Sequence, residues 1–241
     1  MKVLAISNSF GVDANRYLYQ IARADGVDLQ VVTLYIGGCS LEKHYRNMIG
    51  DRREYELYYN GMATGFFVTM EEALLSRCWD VITLQQASGS SPFPGTYEPY
   101  AASLYDYVKE CQPQADVLLH QTWAYEDGSE KLAGRGYETA QAMFADIEKA
   151  YAKCKEDIGA DGMIPSGELF MKLLEKGIPS VQRDTFHASR GLGRYALGLL
   201  WYRLLTGNSV MENTFRDFDE PISEDEIRIA KETVEAFLPL N

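Results

Sequence analysis

The chain has 241 residues, 46% of them hydrophobic and 24% charged, and 23 Lys+Arg against 35 Asp+Glu give it a formal net charge of -12. That composition excludes a disordered chain. The acidic balance argues against nucleic acid and against an anionic membrane surface, because both must be met by positive charge. Lys2–Ser7 reads as a strand, and 13–24 as an amphipathic helix with Tyr17, Ile21 and Ala24 on one stripe. A second strand is expected over 28–35, and a short helix over 41–48 after the Gly37-Gly38 turn. Residues 54–59 and 65–70, joined through Asn60-Gly61, read as a β-hairpin inserted at about 52–70. Thr69 with Glu72 makes a capping box that opens a helix running to about Cys78. Strands over 80–85 and 116–120 enclose a helix over 97–111. A long helix over 137–155 leads to a short strand at 163–165 and a helix over 168–176. A short extended piece is expected at 180–182. An apolar helix over 191–205 is stopped by Gly207, and Ser223 with Glu226 caps a last helix to about Phe237.

Strands that alternate with helices imply βαβ crossovers and a parallel sheet covered on both faces. The expected architecture is therefore a single domain over 1–241, a three-layer α/β/α sandwich with a parallel central sheet and a hairpin insertion. No stretch reaches the roughly 18 apolar residues that span a bilayer. The start, Met-Lys-Val-Leu, lacks the long apolar core of a secretory leader, so the chain reads as cytoplasmic; an exported form trimmed of its leader would read the same. Four cysteines, at 39, 78, 111 and 154, show no Cys-x-x-Cys spacing and read as reduced thiols.

In such sheets ligands sit beyond the carboxyl ends of the strands, so the loops that follow them are where chemistry is sought. Ser7-Asn8-Ser9-Phe10-Gly11 follows the first strand. A serine there meets the free N–H groups and positive dipole end of a helix, and its own N–H can face an oxyanion. Arg183-Asp184-Thr185-Phe186-His187 precedes the apolar helix. Serine needs a base, histidine titrates near neutrality, and a carboxylate three residues away can fix its tautomer. Gly37-Gly38-Cys39-Ser40 follows the second strand, where glycine lets a backbone N–H approach a ligand closely. Gln85-Gln86-Ala87-Ser88 ends the third, where one carboxamide can donate into the same cleft. His44, on the short helix, is a candidate substrate contact. Trp123, near His120 and Tyr125, is a candidate surface for a sugar ring. His44, His120 and His187 lack metal-ligand spacing, so no metal is expected. Cys39 has no base of its own and is not read as a nucleophile.

The order nucleophile, glycine, amide and Asp-x-x-His, each at a strand end, resembles the SGNH (GDSL-like) hydrolase superfamily. The Ser-Asn-Ser-Phe start is most similar to the Gly-Asn-Ser-Phe first block of a bacterial branch of it. The resemblance covers about residues 5–200 and implies a serine esterase that needs no cofactor. Ser9 matches the nucleophile, with Asp184 and His187 completing a triad. Ser9 and Gly38 match the N–H donors of the oxyanion hole. Gln86 falls where the family uses an asparagine amide, with Gln85 as the other possible donor. The Gly-x-Asn-Asp block is missing. The implied substrate is a small-molecule or carbohydrate ester, with O-acetyl favoured. Two other readings remain at this stage: a carbohydrate or small-ligand binding module with a degenerate site, and a flavodoxin-like phosphate-binding domain. Neither the oligomeric state nor the exact acyl and alcohol groups follow from the sequence.

Overall fold

The computed structural model describes residues 1–240. Its strands are β1 (Lys2–Ser7), β2 (Gln30–Tyr35), β3 (Tyr55–Tyr59), β4 (Met62–Val68), β5 (Val81–Leu84), β6 (Asp116–His120) and β7 (Gly162–Ile164). They form one seven-stranded sheet in the order β4-β3-β2-β1-β5-β6-β7. The five strands from β2 to β7 run parallel, with registers such as Ala5 opposite both Thr33 and Thr83. Every residue of β5 and all of β1 after Lys2 are buried. Helices on both faces explain why these strands are almost continuously apolar rather than alternating.

The helices are α1 (Ser9–Asn15), α2 (Leu18–Ala24), α3 (Leu41–Ile49), α4 (Met70–Leu75), α5 (Tyr100–Cys111), α6 (Glu130–Ala133), α7 (Ala140–Ile158), α8 (Ser166–Glu175), α9 (Leu192–Thr206) and α10 (Glu224–Glu235). One layer is built from α1, α2, α9 and α10, the other from α3, α4, α5 and α7. Helix α9 is apolar nearly all round, with Leu197, Leu200 and Trp201 fully buried. A helix with that composition must lie inside, covered by neighbours on each side. Both expected capping boxes, Thr69 with Glu72 and Ser223 with Glu226, are formed.

Three elements depart from the sequence reading. The hairpin belongs to the sheet: β3 pairs antiparallel with β2, so Val32 faces Tyr59 and Tyr35 faces Glu56. Without it, β2 would be an edge with unpaired N–H and C=O groups. Asn60 and Gly61, at φ 50° and 82°, make the two-residue turn, and β4 therefore starts at Met62. The helix expected over 13–24 is two helices that break at Arg16–Tyr17. The first starts at Ser9, because the Asn8 side chain caps Phe10 N–H at 3.0 Å. Helix α6, capped by Ser129, is too short to show an apolar period.

Candidate active site

The first loop is shaped by two contacts that only these residues make. Gly11 packs against the Ser7 side chain so closely that any Cβ would collide with Ser7 Oγ. Asn8 caps α1 through its oxygen and donates from Nδ2 to Cys39 O at 3.0 Å, which ties the first loop to the second. Ser9 is the first residue of α1, where backbone N–H groups have no partner within the helix. Gly38 holds φ 62°, a left-handed conformation that glycine takes without strain. Among the described residues neither the Ser9 nor the Gly38 N–H has a hydrogen-bond partner.

The loop before α9 brings in the other half. An isolated bridge between Gln182 and Ala188 pinches its base, and Thr185 turns it at φ 70°. Asp184 Oδ1 accepts the His187 backbone N–H at 2.8 Å, and Oδ2 lies 2.8 Å from His187 Nδ1. His187 Nε2 lies 2.9 Å from Ser9 Oγ. A carboxylate at Nδ1 places the ring proton there and leaves the Nε2 lone pair to the serine hydroxyl. Burial alone would raise the Asp184 carboxyl, but hydrogen bonds from the His187 ring and backbone outweigh it and hold it below the usual carboxylate range. The His187 side chain is 19% exposed and that of Asp184 45%, so the chain of groups opens to solvent.

Behind these groups lies a buried ion cluster. Asp13, on the helix that starts at Ser9, is 1% exposed. It pairs with Arg183 at 3.0 Å and with Arg194 at 2.8 Å, and Arg194 continues to Asp219 at 2.7 Å. Arg183 immediately precedes Asp184, so one carboxylate couples the serine's helix to the histidine's loop. Aromatic groups fill the remaining space. Phe10 stacks on Trp123 with centroids 3.9 Å apart, Trp123 Nε1 donates to Phe186 O at 2.7 Å, and the Phe186 ring lies 3.8 Å from that of His187.

A cavity of about 370 Å³ opens here, lined by Asn8, Ser9, Tyr35, Gly37, Gly38, Ser88, Phe186 and His187. Ser9, Gly38, Asp184 and His187 thus converge as the sequence reading expects. Four other candidates do not. Gln86 donates from Nε2 to Thr96 O at 2.9 Å, and its Oε1 accepts Leu41 N–H at 3.0 Å and Ala87 N–H at 2.8 Å. It closes loops together and does not donate into the cavity. Gln85 points to the opposite side of the strand end, accepting from Ser7 Oγ at 2.5 Å and donating to His120 Nδ1 at 2.8 Å. His44 is fully buried against Tyr55 OH at 3.0 Å, and burial lowers its pKa to about 3, so it is a neutral core group rather than a substrate contact. Trp123 is fully buried between Phe10 and Phe170 and offers no face to a sugar.

Beneath the site, His120 Nε2 lies 3.0 Å from Ser166 Oγ, and burial lowers the His120 pKa to about 3. Burial pushes the Cys39 thiol up to about 12, so it keeps its proton. All four cysteines are free. No group of three His, Cys, Asp or Glu among the described residues is placed to hold a metal ion. No helix among them is long and apolar enough to cross a membrane. Tyr35, Ser88 and Asp13 are site residues that the sequence reading missed. Tyr35 could have been found as the last residue of its strand; Ser88 sits in a serine-rich turn with nothing to rank it, and Asp13 looks like any helix carboxylate.

The family model described as Domain of unknown function (DUF4886) matches residues 2–236. No curated protein matches the chain. Among solved structures, a DUF4886 family protein from Bacteroides uniformis ATCC 8492 is 30% identical, with a TM-score of 0.90 over 98% of this chain and 93% of that one. A Slackia heliotrinireducens protein assigned to the SGNH hydrolases is 22% identical, with a TM-score of 0.60 over 83% and 95% of the two chains. An acetyl xylan esterase, AlAXEase, is 13% identical, with a TM-score of 0.59 over 85% and 100%. The last two share the fold, and at that level the SGNH resemblance read from the sequence is borne out.

Proposed function

The chain belongs to the DUF4886 family and has the SGNH hydrolase fold, and from that premise we propose that it is a serine esterase whose triad is Ser9, His187 and Asp184. The observation that carries this reading is the unbroken line from Asp184 Oδ2 through the His187 ring to Ser9 Oγ, with steps of 2.8 and 2.9 Å, ending in an open cavity. A polar loop has no need to place those groups in that order beside two unpartnered N–H donors.

In the proposed reaction Ser9 Oγ attacks the acyl carbon while His187 Nε2 takes the hydroxyl proton. Asp184 stabilises the imidazolium and keeps its orientation. The carbonyl oxygen gains charge and is held by the N–H groups of Ser9 and Gly38. Collapse of the tetrahedral species breaks the ester C–O bond, and His187 returns the proton to the leaving alcohol. Water, deprotonated by the same nitrogen, then attacks the acyl-serine. Its collapse releases a carboxylic acid and restores Ser9.

The acyl group is small, and an O-acetyl ester fits best. Phe10, Trp123 and Phe170 fill the space behind the serine, and beside Asn8, His187, glycine and serine the only large side chains lining the cavity are Tyr35 and Phe186. The alcohol side faces solvent, which suits a carbohydrate. The test is labelling with a fluorophosphonate and hydrolysis of p-nitrophenyl acetate and butyrate. The reading requires one label on Ser9, none on Ser9→Ala, and acetate turned over faster than butyrate. Folded protein that takes no label overturns it in favour of a binding module.

A further inference from the structure

Two N–H groups supply the proposed oxyanion hole, and neither carboxamide at the end of β5 can add a third donor. The orientation of Gln86 is fixed, since two backbone N–H groups, of Leu41 and Ala87, meet one end of its amide and demand the oxygen there. Its NH2 is thereby turned to Thr96 O and Oγ1. The polar residue after β5 that lines the cavity with Ser9, Gly38 and His187 is Ser88.

The turn that carries Ser88 is rigid. Ser90 and Ser91 N–H both donate to Ala87 O at 2.9 Å, and Ser91 Oγ donates to Ser88 O at 2.9 Å, so that carbonyl is already engaged. The Ser88 N–H has no partner among the described residues. Ser88 Oγ lies 3.0 Å from Tyr125 OH, which is buried and has no other hydrogen bond among them. Either hydroxyl can donate in this contact; where the phenol O–H is the donor, Ser88 Oγ is its acceptor. The Ser88 hydroxyl proton is then free to point into the cavity. A hydroxyl that accepts one hydrogen bond is polarised into a better donor for another.

We infer that Ser88 is the third oxyanion donor of this site, taking the part the sequence reading gave to Gln86, and that Tyr125 is the positioning residue behind it. The inference rests on the esterase reading above. During attack the Ser88 O–H donates to the carbonyl oxygen alongside the Ser9 and Gly38 N–H groups, and no proton is transferred from it.

The experiment pairs ester turnover with fluorophosphonate labelling in wild type, Ser88→Ala, Ser88→Thr, Tyr125→Phe and Ser88→Ala/Tyr125→Phe, each checked for fold by circular dichroism. Ser88→Ala should lower kcat by about 10²–10³-fold with KM changed little, as loss of one oxyanion donor does. Ser88→Thr, which keeps the hydroxyl, should recover most of that loss. Tyr125→Phe should lower kcat less than Ser88→Ala, and the double variant should be no slower than Ser88→Ala alone, because the two act through one hydrogen bond. A wild type that labels on Ser9 while Ser88→Ala keeps its turnover within about threefold overturns the Ser88 assignment and leaves the esterase standing. Additive losses in the double variant overturn the role of Tyr125. A folded wild type without label removes the reading beneath both.

Discussion

His187 and His120 each set Nε2 against a serine hydroxyl, at 2.9 Å from Ser9 and 3.0 Å from Ser166. They differ at the other ring nitrogen. At His187 a carboxylate accepts the Nδ1 proton, so Nε2 keeps its lone pair. At His120 the Gln85 amide donates to Nδ1, so the proton sits on Nε2 and is given to Ser166. One pair can accept a proton from its serine; the other has already spent that nitrogen as a donor. Burial sharpens the contrast, since it holds the His120 pKa near 3 and keeps the ring neutral, while the His187 ring meets solvent. A serine beside a histidine is therefore uninformative until the group behind the imidazole is known.

Ser9→Ala should cost about 10⁴–10⁶ in kcat, and Ser166→Ala, in folded protein, should leave ester turnover within a few-fold of wild type. A comparable loss in both would break the distinction. Asp184→Asn is the sharper probe. An amide behind His187 imitates the arrangement at His120, favours the wrong tautomer, and should lower kcat by about 10³–10⁴ while KM holds, as initial rates with p-nitrophenyl acetate would show.

The buried pair sets a pH dependence of stability. His120 and His44 are both lowered to about 3 in the folded chain by burial, against about 6.5 when unfolded. Below about pH 6.5 the unfolded chain takes up protons that the folded chain refuses, so stability is full above that pH and falls as pH drops toward 3. The loss is about 2 kcal/mol per imidazole between pH 7 and pH 5. Urea midpoints at the two pH values should show it, and His120→Gln should remove about half; a midpoint flat over this range would contradict neutral burial. The smallest effect belongs to Gly11→Ala, whose Cβ would displace the Ser7 side chain and with it the Gln85–His120 line. It should cost about 1–3 kcal/mol in urea unfolding.

Most of this fold could be read from the sequence, because the parallel strands are apolar runs set off by helix caps. The Asp116–His120 strand and the two capping boxes came out as observed, since local residues decide them. The pairing of the hairpin with β2 could not be read, because no short-range pattern encodes which edge a hairpin joins. Ser9 and Gly38 were legible as residue types placed after strand ends, and Asp184 and His187 as a closely spaced pair before the apolar helix, though no strand precedes them. Gln85, Gln86, His44 and Trp123 misled for one reason. Each is polar or aromatic, and in each case the groups that engage it, such as Leu41 for Gln86 or His120 for Gln85, lie outside its own segment. Composition cannot say whether a donor is already engaged, and that is what separates Ser88 from Gln86.

Ser9 and His187 are 178 positions apart in the chain, yet their side chains must come within hydrogen-bonding distance. A nascent polypeptide leaving the ribosome carries Ser9 early, and its line to His187 closes only once the 183–188 loop has emerged and Arg183 has found Asp13. Contacts of such long sequence separation form slowly, since chain entropy is lost before they are made. In a refolding experiment ester turnover should therefore lag behind the recovery of helical circular dichroism. Its onset would time the docking of the last third of the chain onto the first helix.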